Sequence, residues 1–191
     1  MTSFAEPVLQ QGYAFSEALV GATPLWLAAR YGEGDIMRAL AGAGANARFA
    51  MPDGTTILME AIVVTRGIGT FRAGDRRERY QGPADVAAKA DGEDERITLE
   101  TVRHAFAVGA DVRAANKDGD TALHTAAALG LNSVVQLLAD SGADLEARNN
   151  LGQTPLASVI ARSSRAPAAQ YAGSVDAGAS TAELLRKLGA K

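Results

Sequence analysis

Residues 116–148 read NKDGDTALHTAAALGLNSVVQLLADSGADLEAR, and this stretch indicates the architecture of the chain. Apolar residues recur at helical spacing after Thr121 and again over 134–138. A threonine hydroxyl can accept hydrogen bonds from the free N–H groups at a helix start, and a glycine such as Gly142 suits the left-handed backbone that ends many helices. The stretch therefore predicts two helices with a defined start and end.

The same unit recurs along the chain. The motif Gly-x-Thr-x-Leu begins at residues 21, 54, 119 and 152, so successive threonines are 33, 65 and 33 residues apart. A second motif, Gly-Ala followed by Asn or Asp, begins at residues 44, 109 and 142, and a shortened Gly-Ala stands at 189. Two motifs in fixed phase indicate repeats that stack on one another, because one unit cannot bury its apolar faces alone.

These motifs resemble the ankyrin repeat from about residue 18 to residue 191. The resemblance implies an all-α fold, an ankyrin-repeat solenoid of stacked helix-turn-helix units joined by β-hairpin-like turns. Residues 3–12 are interpreted as the end of an incomplete unit, which points to a piece of a longer array or of a fused protein. We expect one continuous domain, divided into a partial N-terminal cap or half-repeat (1–17), repeat 1 (18–50), repeat 2 (51–115), repeat 3 (116–148) and repeat 4, the C-terminal cap (149–191).

The long interval places an insertion at about residues 65–96 inside repeat 2, and a shorter one is expected at about 164–177 in repeat 4. The first half of the long insertion is basic and the second half is acidic. Two interpretations stay open: a solvated loop neutralised by its own acidic half, or a site for an anionic partner. The arginines in question are Arg66, Arg72, Arg76, Arg77 and Arg79.

Composition excludes several classes of protein. The chain has 191 residues, 47% of them apolar, and no cysteine, which excludes disulfide scaffolds, cysteine-ligated metal sites and thiol nucleophiles. The net charge of −3 argues against a general nucleic-acid binder. No apolar run approaches the ~18 residues of a membrane span, and the start lacks a signal peptide, although a trimmed periplasmic form would look the same as a cytoplasmic one. The 40 alanines and the excess of arginine over lysine are typical of bacterial, GC-rich coding.

We expect no catalysis, no cofactor and no metal site, because the sequence lacks a nucleophile, base and orienting group in one pattern. The resemblance implies that His124 forms hydrogen bonds within and between repeats, and His104 is interpreted as a half-buried packing residue. Trp26 stands in repeat 1 where His124 stands in repeat 3. Two interpretations of Trp26 stay open: packing against the N-terminal segment, or an aromatic contact to a ligand.

The resemblance implies a protein partner on the concave face, which consists of turn tips and exposed ends of first helices. We expect a monomer. The alternatives are a regulatory or structural domain of a larger bacterial enzyme or cell-envelope protein, and anion or nucleic-acid binding through the arginine-rich insertion. Large exposed apolar groups carry most interface energy, so the expected anchors are Tyr31, Phe49, Met51, Leu129 and Leu151. The other expected contacts are Arg30, Arg48, Asp53, Thr55, Lys117, Asp118, Asp120, Asn150 and Gln153.

Overall fold

The computed structural model describes residues 21–63, 92–165 and 172–191. In this part of the chain the backbone forms eight α-helices and no β-strand, which confirms the all-α prediction. Single antiparallel bridges join Ala50 to Thr56 and Ala115 to Thr121 in the turns. The helices are α1 (Pro24–Arg30), α2 (Gly34–Gly42), α3 (Ile57–Val63), α4 (Gly92–Ala107), α5 (Ala122–Leu129), α6 (Asn132–Asp140), α7 (Pro155–Arg165) and α8 (Ala172–Leu188).

The helices stack in two layers. Helices α1, α3, α5 and α7 contact one another in order and form the inner layer, while α2, α4, α6 and α8 form the outer layer. Each inner helix also packs against the outer helix that follows it in the chain. The molecule is therefore a row of four helix pairs, which we number repeats 1 to 4.

Each inner helix begins after a threonine, as the repeated motif predicts. In α1, α3 and α7 the threonine hydroxyl accepts a hydrogen bond from the backbone N–H three residues later, at 3.2 Å. In α5, Thr121 and His124 form a reciprocal capping box. These bonds satisfy N–H groups that have no partner inside the helix, so the motif sets where each helix starts.

The core lies between the two layers and between successive repeats. Alanines on the inner helices, such as Ala29, Ala61 and Ala126, are fully buried, and their small side chains let neighbouring helices approach closely. Larger buried side chains fill the space toward the outer layer. They include Met37, Ile57, Leu58, Ile62, Val102, Leu123, Val134, Leu138 and Leu185.

Helix α4 is longer than predicted. It begins at Gly92 instead of about Ile97, so the last residues of the expected 65–96 insertion are helical. The Arg96 guanidinium donates to the Glu100 carboxylate at 2.9 Å, and such a pair four residues apart supports a helix. The added turn also carries Glu95, which contacts the next repeat.

The start of α6 is held from both sides by its longer neighbours. From α4, the Glu95 carboxylate accepts the backbone N–H of Ser133 at 2.8 Å. From α8, the Thr181 hydroxyl donates to Asn132 Oδ1 at 2.7 Å. These contacts give the free N–H groups and the amide at the start of α6 partners in both adjacent repeats.

Several predicted segments lie outside the described residues. They are the N-terminal cap at 1–17, residues 64–91 with all five arginines of the long insertion, and residues 166–171 of the shorter one. The expected packing of Trp26 against residues 3–12 also falls there. Among the helices that are described, none is long and apolar enough to cross a membrane.

Candidate functional site

The turns between helix pairs project as fingers, which we name finger 2 (residues 50–56), finger 3 (115–121) and finger 4 (148–154). In finger 3, Asn116 Oδ1 accepts the N–H groups of Asp118 and Asp120, both at 2.9 Å. In finger 4, Asn149 Oδ1 accepts two N–H groups in the same way at 3.0 Å. An asparagine that bonds its own turn holds the tip in one shape.

Finger 2 reaches the same shape with other residues. Met51 stands where fingers 3 and 4 have asparagine, and the Asp53 carboxylate accepts the N–H and the hydroxyl of Thr55, each at 2.8 Å. The N–H of Thr55 is the main reason that the pKa of Asp53 lies below its ordinary value. Asp53 is therefore ionised at neutral pH, and it lies at an exposed tip.

Main-chain hydrogen bonds join the fingers into a row. The N–H of Lys117 donates to the carbonyl of Asp53 at 2.9 Å, and the N–H of Asn150 donates to the carbonyl of Asp118 at 2.8 Å. The approach requires glycine: a Cβ on Gly119, whose φ is +78°, would lie 2.9 Å from the backbone of finger 4. Gly54 faces finger 3 in the same way at 2.8 Å.

Most of the predicted contact residues line this row and the ends of the inner helices. Leu151 is 80% exposed and Tyr31 is 38% exposed, so both are open to a partner. The exposed polar residues among the predicted contacts are Arg48, Asp53, Lys117, Asp118 and Asn150, and the half-buried ones are Arg30, Thr55, Asp120 and Gln153.

Three of the five expected anchors are less exposed than the sequence suggested. Met51 is only 7% exposed and belongs to the hydrophobic core, so the expectation that it is an open apolar contact is wrong. Its side chain takes the place of a turn-bonding asparagine and packs inward instead. Phe49 and Leu129 are half-buried and pack against the core with part of their surface open.

His124 links repeats 3 and 4. Its Nδ1 accepts the backbone N–H of Thr121 at 3.2 Å, which leaves the proton on Nε2, and Nε2 donates to the carbonyl of Gln153 at 3.1 Å. The implied hydrogen-bonding role of His124 is therefore observed. His104 packs against the start of α2, where its ring occupies the space that a Cβ on Gly34 would need.

A charged cluster joins the inner helices of repeats 1 and 2. The Arg30 guanidinium donates to Glu60 Oε1 at 2.6 Å, and the Glu60 side chain is only 9% exposed. The same guanidinium carbon lies 5.7 Å from the centre of the Trp26 ring, within the range of a cation–π contact. Arg30 is therefore held on two sides while 40% of its side chain stays exposed.

Two features of this cluster carry an unfavourable free energy. Burial raises the pKa of Glu60 above its ordinary value, and Arg30 offsets only part of that rise. Trp26 is 3% exposed, and among the described residues its buried Nε1 has no hydrogen-bond acceptor. In the described part of the chain the cluster thus has an incompletely compensated carboxylate beside an indole N–H without an acceptor.

Glu60 is not among the site residues predicted from the sequence. The signal was present, because the fourth residue after the helix-starting threonine is Leu27 in repeat 1, Thr125 in repeat 3 and Ser158 in repeat 4, all uncharged. A lone carboxylate at this repeat position marks a departure from the pattern. Its partner Arg30 lies 30 residues away, and only the stacking of the helices brings the two together.

The described residues offer binding surfaces, and we find no set of groups arranged for a reaction among them. No cluster of histidine, aspartate and glutamate in this part of the chain has the geometry to hold a metal ion. The charged side chains of Asp53, Lys117 and Asp118 are exposed at the fingertips, which suits them to contact another molecule.

Comparison with known proteins bears on the repeat pattern directly. A family model describing three copies of the ankyrin repeat matches residues 87–171, and a model of a single ankyrin repeat matches residues 20–49. Together they cover more than half of the chain. No curated protein matches it.

Proposed function

Because this chain belongs to the ankyrin repeat family, whose members are generally non-enzymatic protein–protein interaction modules, we propose that it binds a partner protein through its concave face. That face consists of the tips of fingers 2 to 4 and the exposed ends of the inner helices. Fingers 2 to 4, which hydrogen bonds join into a row, supply the surface for recognition, and no chemical step is required of it.

The observation that carries this proposal is the state of Leu151. Leu151 is 80% exposed, and the backbone of finger 4 is fixed by the two bonds to Asn149 Oδ1 and by its bond to finger 3. The side chain is therefore presented to solvent on a fixed backbone. A large apolar group on a rigid backbone loses little conformational entropy on binding, which favours association.

Polar and charged groups occupy the other parts of the proposed face. The tips of fingers 2 and 3 present Asp53, Lys117 and Asp118, and the inner-helix end of repeat 1 presents Arg30 and Tyr31. Exposed apolar side chains together with groups of both charges are the composition expected of a protein interface. The charged groups set which partner fits, and the apolar groups supply most of the binding free energy.

The test compares variants on two faces. The double variant Tyr31→Ala with Leu151→Ala removes two exposed side chains from the proposed face. The control Ile36→Ala removes one exposed side chain from outer helix α2, and its exposure of 49% lies between those of Tyr31 and Leu151. All three are surface positions, so unfolding free energies should stay within about 0.5 kcal/mol of the wild type. Cross-linked partners are then identified by mass spectrometry with each protein as bait.

We expect a protein captured by the wild type and by Ile36→Ala to be lost, or weakened at least tenfold, with the double variant. Titration with the purified partner gives the affinities. The proposal fails if that partner binds the double variant normally, or if the α2 substitution alone abolishes capture.

A further inference from the structure

Finger 2 lacks the backbone donor through which fingers 3 and 4 each bond the finger before them. Pro52 stands in finger 2 where Lys117 and Asn150 stand in fingers 3 and 4, and each of those residues donates its N–H to the preceding finger. Proline has no N–H, so finger 2 has no donor at this position. A Cβ on Gly21 would lie 3.8 Å from the Pro52 ring, an ordinary contact distance, where the later fingers approach to 2.8–2.9 Å.

Two side-chain bonds that join repeats 3 and 4 have no counterpart between repeats 1 and 2. Between repeats 3 and 4, Asn149 Nδ2 donates to Asp120 Oδ1 at 2.9 Å and His124 Nε2 donates to the Gln153 carbonyl. Between repeats 1 and 2 the corresponding residues are Met51, which has no amide, and Trp26, whose Nε1 has no partner among the described residues. We name the contact between repeats 1 and 2 joint 1–2, and that between repeats 3 and 4 joint 3–4.

One charged pair, Arg30–Glu60, does cross joint 1–2, and burial keeps the pKa of Glu60 raised despite the presence of Arg30. Breaking the joint would return the Glu60 carboxylate to water and remove the penalty of burying it. The groups that act on Glu60 are Arg30 from α1, which stabilises its charge, and Asp53 from finger 2, which opposes it. On the other side of α3, the titratable group of α5 is His124, which is engaged with Thr121 and Gln153. From the outer layer, His104 of α4 packs against Gly34.

We infer that repeat 1 opens locally from repeats 2–4 at joint 1–2, and that the Glu60 carboxylate favours this opening while Arg30 opposes it. The opening leaves joint 3–4 intact and shifts Arg30 and Tyr31 relative to finger 2. It is a property of the free chain and does not depend on the proposed partner.

Amide hydrogen exchange on the full chain tests the inference through two substitutions of one ion pair. Exchange over residues 24–42 of the wild type should be faster than over residues 122–140, which form the matching helices of repeat 3. Glu60→Gln removes the buried charge and keeps the shape, so it should slow exchange in repeat 1 on the order of threefold to tenfold. Arg30→Ala leaves the carboxylate unpaired and should speed it by a similar factor.

Trp26 provides an independent readout because it is the one tryptophan of the chain. Acrylamide quenching of its fluorescence reports how often the indole reaches solvent. Quenching should fall in Glu60→Gln and rise in Arg30→Ala, in step with the exchange rates. If repeats 1 and 3 of the wild type exchange equally slowly, or if the two substitutions shift repeat 1 in the same direction, the inference is wrong.

A matched variant removes the corresponding hydrogen bonds from joint 3–4. Asn149→Met with Asn150→Pro gives finger 4 the residues of finger 2 and removes its bonds to finger 3. Exchange over residues 155–165 should then rise at least tenfold while repeat 1 is unchanged. An unchanged rate in repeat 4 would show that these bonds do not hold a joint closed, and would overturn the argument from their absence at joint 1–2.

Discussion

Repeats 2 and 3 have the same fold but reach it with different chemistry. Repeat 3 uses amides and an imidazole: Asn116 shapes its finger and His124 fixes the start of its inner helix. Repeat 2 has methionine at both positions, Met51 and Met59, and both side chains are buried. At these two positions repeat 3 uses directional hydrogen bonds, while repeat 2 uses buried apolar side chains.

The difference shows which parts of the repeat are interchangeable. The threonine at the helix start and the glycine at the fingertip occur in both repeats, and both are required by backbone geometry. The positions of Met51 and Met59 can be polar or apolar, provided that a polar residue finds hydrogen-bond partners and an apolar residue is buried. Substitutions at the shared and at the differing positions should therefore behave differently.

The largest effect is expected at the shared glycines. Gly54→Ala and Gly119→Ala place a Cβ under 3.0 Å from the next finger on a left-handed backbone, so each should lower the unfolding free energy by about 3 kcal/mol. Gly152→Ala is the control, because its φ of +73° is similar but no described atom lies within 4 Å. It should lose only about 1 kcal/mol. Urea denaturation measures all three, and equal losses would mean that strain in the turn, and not finger packing, dominates.

A smaller effect is expected from exchanging the differing residues. Met51→Asn places an amide in a buried apolar site and should destabilise the protein by about 2 kcal/mol. Asn116→Met removes the acceptor of two turn bonds and should lose about 1–2 kcal/mol. Thermal and urea unfolding of both variants provide the measurement. If either substitution leaves the unfolding free energy unchanged, methionine and asparagine are interchangeable at this position. The proposed difference between repeats 2 and 3 would then be wrong.

The smallest effect concerns the pH dependence of stability, and its sign differs between two carboxylates of repeat 2. The folded protein raises the pKa of Glu60, so its contribution to unfolding free energy improves as pH falls from 7 through that raised value. The folded protein lowers the pKa of Asp53, so its contribution is present at neutral pH and is lost on further acidification.

The contribution of each carboxylate is isolated by measuring unfolding free energy against pH for the wild type and for a variant in which that carboxylate is replaced by an uncharged amide. Relative to Glu60→Gln, the wild type should gain stability between pH 7 and pH 4, by less than either loss above. Relative to Asp53→Asn, it should lose stability as pH falls below 4. Denaturant titrations at each pH supply the data, and slopes of the same sign would contradict the assignment of burial to Glu60 and hydrogen bonding to Asp53.

The sequence predicted those features of the fold that repeat. Thr23, Thr56 and Thr154 cap their helices as the motif indicated, because capping depends on residues three positions apart. The start of α4 was placed about five residues too late, since the motif carries no information about residues added before a helix. The acidic composition before Arg96 and its spacing from Glu100 would have favoured the longer helix.

The candidate site was predictable only in part. Leu151 and Tyr31 are exposed as expected, because their positions in the unit fix the direction in which they point. Met51 could not be placed from its apolar character, which suits a contact surface and a core equally. The Arg30–Glu60 pair depends on how two helices stack, and a sequence pattern alone does not give that distance.

The position of the two insertions has a consequence for how this molecule can evolve. The expected insertions at about 65–96 and 164–177 overlap the ends of described helices, and the residues between inner and outer helix are 64–91 in repeat 2 and 166–171 in repeat 4, whereas the fingers lie at the connections between repeats. The threonines of repeats 2 and 3 are 65 residues apart and those of repeats 3 and 4 are 33 apart, yet the finger bonds measure 2.9 and 2.8 Å. Residues can thus be gained or lost between the two helices of one repeat without changing the spacing of the fingers. An engineer could graft a reporter or a second binding loop there and leave the fingers in register.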